Sequence, residues 1–435
     1  MNIMMMTNTF TPHIGGVARS VETFTASYRQ KGHRVLVVAP KFEKMPEDEL
    51  DVVRIPAIQH FNGSDFSVVL PVHGDLDAAV EEFQPDLIHS HHPFLLGGTA
   101  LRIARARDLP LIFTHHTMYE QYTHYVPGDS QGMKQFVMQL STSYANLCDL
   151  VFAPSQSVAE VLRRRGVHAP IEVVATGVDI KAFNQGSGPG FRAAMDIPAD
   201  AFVIGHLGRL APEKNLEFLA TAVAAYLQKD KRAHFLLIGS GPSEQIIHQI
   251  FARDNLTSRL HHVSLLVQPL LASGYQAMDL FAFASLSETQ GMVLTEAMAA
   301  GVPVVALDAP GVREVVVDGS NGSLLPDQSV ELFADAIEAL AQLPPARMNL
   351  LQENARSTAW RFSQENSAAT ALALYAAVRQ SQQEGKHQAV ADNEEYGTWE
   401  GLMRRIRVEW DIFKNIVDAT DAAFRSSESQ DKEQL

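Results

Sequence analysis

Short apolar runs alternate along the chain with longer segments in which apolar residues recur every three or four positions. The short runs predict buried parallel strands, and the periodic segments predict the helices that connect them. This alternation predicts two similar α/β units. We predict a first strand at 1–6, further strands of the first half at 34–39, 87–90, 111–114 and 150–153, and strands of the second half at 202–207, 234–239, 260–265, 280–284 and 303–307.

Changes in composition along the chain suggest where the units begin and end. Glycines cluster at 176–198, where apolar periodicity is weak, so we expect the joint there and place the boundary at Phe183. This predicts an N-terminal α/β domain at 1–182 and a C-terminal one at 183–361. An alanine-rich helix is predicted at 362–382, followed at 383–435 by a polar linker and an amphipathic helical extension.

Length and composition are those of a folded, soluble protein. A chain of 435 residues is too long for one hydrophobic core, and 46% hydrophobic with 20% charged residues is typical of globular proteins. The single cysteine, Cys148, cannot form an intramolecular disulfide, and no apolar run approaches the roughly 20 residues of a membrane span, so we expect a cytoplasmic protein. The net charge of -15 argues against nucleic acid as a partner.

Ligands of doubly wound sheets bind beyond the carboxyl ends of the strands, so residues that follow a strand are candidates for function. Gly15 and Gly16 follow the first strand, where they would let a ligand approach the backbone, although paired glycines are also common in plain turns. Asp75 and Asp77 have the carboxylate spacing of metal-dependent sugar transferases. They open a helical run, however, so we interpret Asp75 as a helix cap.

Two further predicted strands are followed by histidines. These could hold a metal, cap the strand ends, or form the polar floor of a binding cleft. A metal site lacks support, because no cysteine or regular spacing of histidine and carboxylate accompanies them. We favour the polar floor. The residues are His91, His92, His115 and His116.

The turn after the strand at 202–207 contains two cations, Arg209 and Lys214, and begins with Gly208. Arginine binds phosphate oxygens through a planar fork and lysine binds them as a point charge, so the pair suits a diphosphate. A solvated surface pair is the alternative.

The most informative segment lies at 287–298, where Glu288 precedes Glu296 by eight positions. We predict a loop that enters a helix at Gly291 and Met292, whose backbone N–H groups would face a phosphate together with that of Val293. Glu296, one turn inside the helix, could accept both hydroxyls of a ribose, and Glu288 could accept sugar hydroxyls. A solvated helix face is the alternative for Glu296, but its neighbours are apolar and favour burial.

Together these motifs resemble those of the retaining glycosyltransferases with the GT-B fold and a paired-glutamate signature. The resemblance covers about residues 1–380 and includes, in the family's order, Gly15-Gly16, Gly208-Arg209, Glu213-Lys214, the segment 288–296 and the segment 310–314. Within that family, residues 114–122 and 287–291 are similar to signatures of the diacylglycerol glucosyltransferases. The chain departs from them at His115, where an aromatic residue is more usual, and after Gly385.

The resemblance implies two facing Rossmann-like domains with the active site in the cleft between them, and a C-terminal crossover helix. It implies that Arg209 and Lys214 hold the diphosphate, that Glu288 binds the donor sugar and that Glu296 binds the ribose. No metal or cofactor is expected besides the nucleotide sugar, for which we expect UDP-glucose. The remaining implied positions are Gly16 and Gly208 at the donor, His116 near the reacting sugar, and Tyr119 and Tyr122 at the acceptor.

Several functions fit these features. The first is transfer of a hexose to a lipid such as diacylglycerol at a membrane surface, where the basic amphipathic segment 401–417 could dock; that segment could equally pack on protein. The second is transfer to a soluble sugar or polysaccharide. A nucleotide-sugar epimerase and a non-catalytic nucleotide-sugar-binding protein are further alternatives, which the paired glutamates and the two cations disfavour.

Overall fold

The computed structural model describes residues 1–13, 15–42, 45–46, 48–58, 68–69, 74–119, 130–286 and 288–392. The chain divides into two compact units: unit 1, Met1–Ala175 with Ser367–Leu435, and unit 2, Thr176–Asn366. The chain thus enters unit 2 at Thr176, before the expected boundary at Phe183. Phe183 is buried in unit 2, where its ring packs at 5.5 Å from that of Tyr275.

Unit 1 is built on a seven-stranded parallel sheet. Its central strands are buried on both faces, which is why they read as continuous apolar runs. A small antiparallel pair, β4 (Ala57–Ile58) with β5 (Val68–Val69), stands apart from it. From one edge to the other, the strands are β3 (Val52–Ile55), β2 (Arg34–Pro40), β1 (Asn2–Met6), β6 (Leu87–Ser90), β7 (Leu111–Thr114), β8 (Leu150–Ala153) and β9 (Ile171–Val173).

The helices of unit 1 connect these strands. Serine side chains cap the N-termini of two of them: Ser130 Oγ accepts from the Met133 N–H, and Ser155 Oγ accepts from the Val158 N–H. Such caps satisfy N–H groups that have no partner within the helix. The helices that precede β9 are α1 (Gly16–Gln30), α2 (Gly74–Phe83), α3 (Leu96–Arg107), α4 (Gln131–Asn146) and α5 (Gln156–Arg164).

Unit 2 repeats this plan with a six-stranded parallel sheet. In the order in which they lie side by side, its strands are β12 (Leu260–Val263), β11 (Ala233–Ile238), β10 (Phe202–Leu207), β13 (Leu280–Phe283), β14 (Val304–Leu307) and β15 (Gly322–Leu325). Its helices are α6 (Ile180–Phe183), α7 (Gly188–Ala194), α8 (Leu216–Lys229), α9 (Glu244–Arg253), α10 (Leu270–Gln276), α11 (Met292–Ala299), α12 (Val330–Ala341) and α13 (Pro345–Arg361).

The predicted fold class is confirmed: both units are Rossmann-like, doubly wound α/β domains. In each sheet the strand order reverses beside the first strand, between β1 and β6 in unit 1 and between β10 and β13 in unit 2. Such switch points open a crevice at the carboxyl ends of the strands, where ligands of these folds bind. The crevice of unit 2 lies where β10 and β13 end.

The last described helix, α14 (Gln364–Asp392), begins in unit 2 and continues in unit 1. Tyr375 is fully buried there, stacked on Phe152, and Arg379 Nη2 donates to Asp86 Oδ1 at 2.8 Å. The helix also runs through 383–392, where we expected a linker, because the glutamine, glutamate and alanine there favour helices. The basic amphipathic segment 401–417 lies outside the described residues.

None of the helices that the structure describes is both long enough and apolar enough to cross a membrane.

Candidate active site

The loops after β10, β13 and β14 meet in unit 2, at the carboxyl edge of its sheet. They contain the predicted donor residues Arg209, Lys214 and Glu288, together with Gly311. The Lys214 ammonium forms an ion pair with Glu288 Oε1, although the two residues are far apart in sequence. Both side chains are mostly buried, with exposed fractions of 22% and 14%. Two predicted donor residues are therefore adjacent in the fold.

The cationic turn after β10 takes its shape from special backbone positions at both ends. Gly208 has φ 155°, and Asn215 adopts a left-handed conformation directly before α8. Between them, Arg209 pairs with Glu213, whose side chain is 11% exposed whereas that of Arg209 is 46% exposed. No role was predicted for Glu213. With Glu213 on Arg209 and Glu288 on Lys214, each cation of the turn has a carboxylate partner.

Glu296 is buried, as its apolar neighbours predicted, and is only 4% exposed. It lies in the second turn of α11, and its Oε2 accepts a hydrogen bond from the Tyr275 hydroxyl at 2.8 Å. A buried carboxylate requires such partners, because removing its charge from water is costly. Tyr275, on the neighbouring helix α10, was not predicted, since nothing in the sequence links it to Glu296.

Helix α11 begins at the predicted residue. Gly291 caps it in the left-handed conformation, with φ 72°, and Met292 is its first residue. The first N–H groups of a helix have no acceptor within it, and together with the helix dipole they attract anions. The backbone N–H groups of Met292 and Val293 therefore occupy the positions expected for a phosphate site.

Gly311, in the loop after β14, packs closely against the backbone of the loop at 288–290. A Cβ atom at Gly311 would lie 2.8 Å from Gln290 N, 2.8 Å from the Thr289 carbonyl carbon and 3.0 Å from Glu288 O. Gly311 also has φ 78°, a conformation that side chains disfavour. From the sequence, this glycine was predicted only as part of a motif, whereas in the structure a residue with a Cβ atom would displace the loop.

Gln290 was not predicted to have a role. Its side-chain amide bonds both polar atoms of the Thr176 backbone: Oε1 accepts from the N–H at 2.7 Å, and Nε2 donates to the carbonyl oxygen at 2.7 Å. Both residues are buried. The loop that carries Glu288 is thus bound to the first residue of unit 2.

His206, on β10 below the cationic turn, was also missed. Its ring is buried against Phe281 and Phe283, and Nδ1 lies 3.0 Å from the carbonyl oxygen of Ala282. Burial lowers the pKa of His206 to about 4, so it is neutral at physiological pH. Because a carbonyl can only accept, Nδ1 carries the proton, and Nε2 presents a lone pair that has no partner among the described residues.

In unit 1, His89 on β6 and the histidines after β6 and β7 lie together and bond to one another and to hydroxyl groups. His89 bonds Thr114 through Nε2 at 2.6 Å and the Tyr375 hydroxyl through Nδ1. His91 Nδ1 and His116 Nε2 are 2.9 Å apart, and their rings are stacked. The His89 and His91 rings, with centroids 4.2 Å apart, bring these two hydrogen-bonded groups together, so the predicted site residue His116 belongs to a mostly buried network of polar side chains.

The histidines of this network are neutral. Burial lowers the pKa of His89 and of His92 to about 3 and that of His115 to about 4. Burial, together with the charges of neighbouring histidines, holds the pKa of His91 and of His116 well below the ordinary value. In the part of the chain that the structure covers, no group of three or more histidine, cysteine, aspartate or glutamate side chains is placed to hold a metal ion.

The remaining predicted residues also belong to unit 1. A Cβ atom at Gly16, the first residue of α1, would meet nothing within 4 Å among the described atoms, so packing does not explain this glycine. The Tyr119 ring packs against Phe94 and His115, with centroids 5.1 and 5.8 Å away. Tyr122 lies outside the described residues.

Each of the two units matches a family of known proteins. Residues 14–182 match Glycosyltransferase Family 4, and residues 201–342 match Glycosyl transferases group 1. The solved structure of sucrose-phosphate synthase from Thermosynechococcus elongatus superimposes with a TM-score of 0.72, covering 87% of this chain and 99% of that one at 21% identity. HepE from Anabaena, in complex with UDP and glucose, does so with a TM-score of 0.67, covering 86% and 99% at 23% identity.

Full-length relatives agree with this assignment. Alpha-monoglucosyldiacylglycerol synthase of Streptococcus pneumoniae is 26% identical, with 81% of each chain covered. D-inositol 3-phosphate glycosyltransferase of Saccharomonospora viridis is 33% identical over 67% of this chain and 69% of its own. GDP-mannose-dependent alpha-mannosyltransferase of Corynebacterium glutamicum is 27% identical, with 82% of each covered. The chain therefore belongs to the GT-B glycosyltransferases, as its motifs predicted.

The neutral histidines predict that the protein loses stability in mild acid. An unfolded histidine binds a proton near pH 6.5, whereas His89 and His92 in the folded chain bind one only near pH 3. Between these values the unfolded state holds more protons, so the free energy of unfolding falls as pH falls, by about 1.4 kcal/mol per pH unit for each such histidine. Urea unfolding at pH 7 and at pH 5.5 measures this, and equal stabilities would contradict it.

Gly311→Ala should weaken nucleotide binding by about tenfold or more, because the added methyl must displace the loop at 288–290. The matched control is Gly319→Ala. Gly319 also has a left-handed φ, of 69°, but a Cβ there meets nothing within 4 Å among the described atoms. Titration calorimetry with UDP and with GDP measures the effect. If both variants bind as the unmodified protein does, the close packing at Gly311 has no role in binding.

Proposed function

We propose that the protein is a retaining glycosyltransferase that moves glucose from UDP-glucose to the hydroxyl of a lipid such as diacylglycerol. The observation that carries the proposal is the arrangement around α11. A buried carboxylate, Glu296, lies one turn inside a helix that begins at Met292, and the loop that leads into this helix carries Glu288, the partner of Lys214. A helix N-terminus, two cations and two acids are the groups that a diphosphate flanked by two sugars requires.

In the proposed donor complex, phosphate oxygens replace the carboxylates that now pair with the cations. Arg209 and Lys214 bind the diphosphate, which also faces the backbone at Gly208 and the first N–H groups of α11. Glu288, released from Lys214, accepts hydroxyls of the donor sugar, and Glu296 accepts those of the ribose. Charge-assisted hydrogen bonds of this kind contribute roughly 1.5 to 3 kcal/mol each.

In the proposed reaction, the bond between the anomeric carbon and the diphosphate oxygen breaks, and its electron pair leaves with the diphosphate. The two cations and the start of α11 stabilise the growing negative charge, which is electrostatic catalysis that needs no metal. The acceptor oxygen attacks from the face that the diphosphate leaves, and its proton passes to the diphosphate. The configuration of the sugar is thereby retained.

Two features support a lipid acceptor. Alpha-monoglucosyldiacylglycerol synthases are similar along most of their length, the one from Acholeplasma laidlawii over 86% of this chain and 96% of its own. Residues 114–122, which include Tyr119 and Tyr122, resemble the signature of those enzymes. We assign the acceptor to this segment, near His116, and place the enzyme on the cytoplasmic face of a membrane.

A soluble acceptor is the second candidate. It is favoured by the D-inositol 3-phosphate glycosyltransferases, which have a higher identity of 33% over a shorter part of the chain. The similar GDP-mannose-dependent mannosyltransferases likewise make GDP-mannose the alternative donor.

Radiolabelled UDP-glucose, UDP-galactose and GDP-mannose, offered with mixed micelles of diacylglycerol or with inositol 3-phosphate, distinguish these proposals. We expect label in the organic phase from UDP-glucose only, with an α-linkage in the product. Label in a water-soluble product from inositol 3-phosphate would favour the second candidate. Transfer from no donor to either acceptor would count against both.

A variant pair controls this assay. Glu288→Gln should lower the rate by about a hundredfold, because the sugar loses a charge-assisted partner at the reacting centre. Glu331→Gln, on the surface of α12, should leave the rate unchanged. Equal rates for both variants would contradict the role proposed for Glu288.

A further inference from the structure

The loop that carries Glu288 is hydrogen-bonded to Thr176, the residue at which the chain passes from unit 1 into unit 2. Gln290 pairs with both polar atoms of the Thr176 backbone, in two hydrogen bonds of 2.7 Å. Two hydrogen bonds to one residue fix the orientation of the Gln290 side chain as well as its distance from Thr176. Because Gln290 and Thr176 are only 5% and 4% exposed, water cannot readily replace either bond.

Thr176 belongs to a segment that is itself hydrogen-bonded to another part of unit 2. We call residues 175–178 the crossing peptide. The Val178 N–H donates to Phe362 O at 2.8 Å, and the Gln364 N–H donates to Val178 O at 3.1 Å. A Cβ atom at Gly177 would lie only 2.4 Å from the Gln364 Cα. The crossing peptide is therefore paired with the segment by which the chain leaves unit 2.

On its other side, Gln290 lies between two predicted donor residues. Glu288 is two positions before it, and Gly291, which caps α11, is the next residue. A shift of the Gln290 backbone is expected to move both, because Gln290 lies between them in the chain and the backbone at 288–290 packs closely on Gly311. The loop is consequently held between Gly311 and the crossing peptide.

We propose that Gln290 is a positioning residue, which holds residues 288–291 in the form that binds a nucleoside diphosphate by seating them on Thr176. Occupancy of the loop and ordering of the crossing peptide are then coupled, and the coupling is reciprocal. This inference rests on the proposed function, since it requires the nucleotide to bind at this loop.

Gln290→Glu tests the two hydrogen bonds through their pH dependence. As a carboxylate, Glu at this position can accept from the Thr176 N–H but repels the carbonyl oxygen; as a carboxylic acid it can again do both. Burial raises the pKa of a carboxyl group, so protonation should begin above its usual range. We expect UDP to bind this variant about tenfold more weakly than the unmodified protein at pH 8, and nearly equally at about pH 5.5. A ratio that does not change with pH would overturn the proposal.

Hydrogen exchange tests the coupling directly. UDP should slow amide exchange at 175–178 in the unmodified protein but not in Gln290→Leu. The control is Gln276→Leu, which also removes a hydrogen bond donated by a glutamine amide, here the part-buried bond from Gln276 Nε2 to Phe183 O at 2.7 Å. This control should keep both UDP binding and the slowed exchange.

The outcomes separate this inference from the proposed function. If Gln290→Leu binds UDP with unchanged affinity, and UDP still slows amide exchange at 175–178 in this variant, Gln290 does not position the loop. The proposed nucleotide site is then unaffected. If the unmodified protein binds neither UDP nor GDP, the nucleotide site and the inference both fall.

Discussion

Close packing of backbone against backbone, between Gly311 and the loop at 288–290, is the constraint on which the candidate site depends. No side chain fits between them, so the loop after β13 and the loop after β14 act as one surface. That surface fixes where α11 begins, and the position of α11 fixes Glu296 against Tyr275. The parallel sheet makes this possible, because adjacent parallel strands deliver their following loops to the same edge.

The electrostatics of the site follow from its internal pairing. The chain carries a net charge of -15, so an anionic donor must be attracted by locally placed cations. Those cations are paired with Glu213 and Glu288, which keeps them in place and neutralises them. Donor binding in our proposal is an exchange of carboxylates for phosphate oxygens, and Glu288 gains a new partner in the same step. Such an exchange leaves neither Lys214 nor Glu288 unpaired in their mostly buried positions.

The sequence predicted the sheets closely and the pairing of distant residues poorly. The strands at 87–90, 111–114, 150–153 and 202–207 have the predicted bounds, because short apolar runs between polar residues leave little ambiguity. Lys214 and Glu288 were both assigned to the donor, since a lysine suits a diphosphate and a carboxylate can accept sugar hydroxyls. Gln290 and Thr176 are 114 positions apart, and their contact depends on how unit 2 folds as a whole. No local sequence pattern predicts a contact over that separation. The histidines show the same limit: the sequence showed that His91 and His116 follow strands, but their mutual bond required the folded structure. The contact of His89, on β6, with Tyr375 likewise had no sequence signal.

The most direct test of the account is the affinity of UDP for Glu296→Gln. The amide oxygen of glutamine can still accept from the Tyr275 hydroxyl, so the fold of α11 should be kept, and the thermal unfolding temperature should not change. The charge-assisted bonds that we assign to the ribose are lost, and we expect UDP to bind about ten- to a hundredfold more weakly in titration calorimetry. Unchanged UDP affinity in a variant of unchanged stability would show that the nucleotide does not bind at α11, and it would contradict the site proposed for this protein.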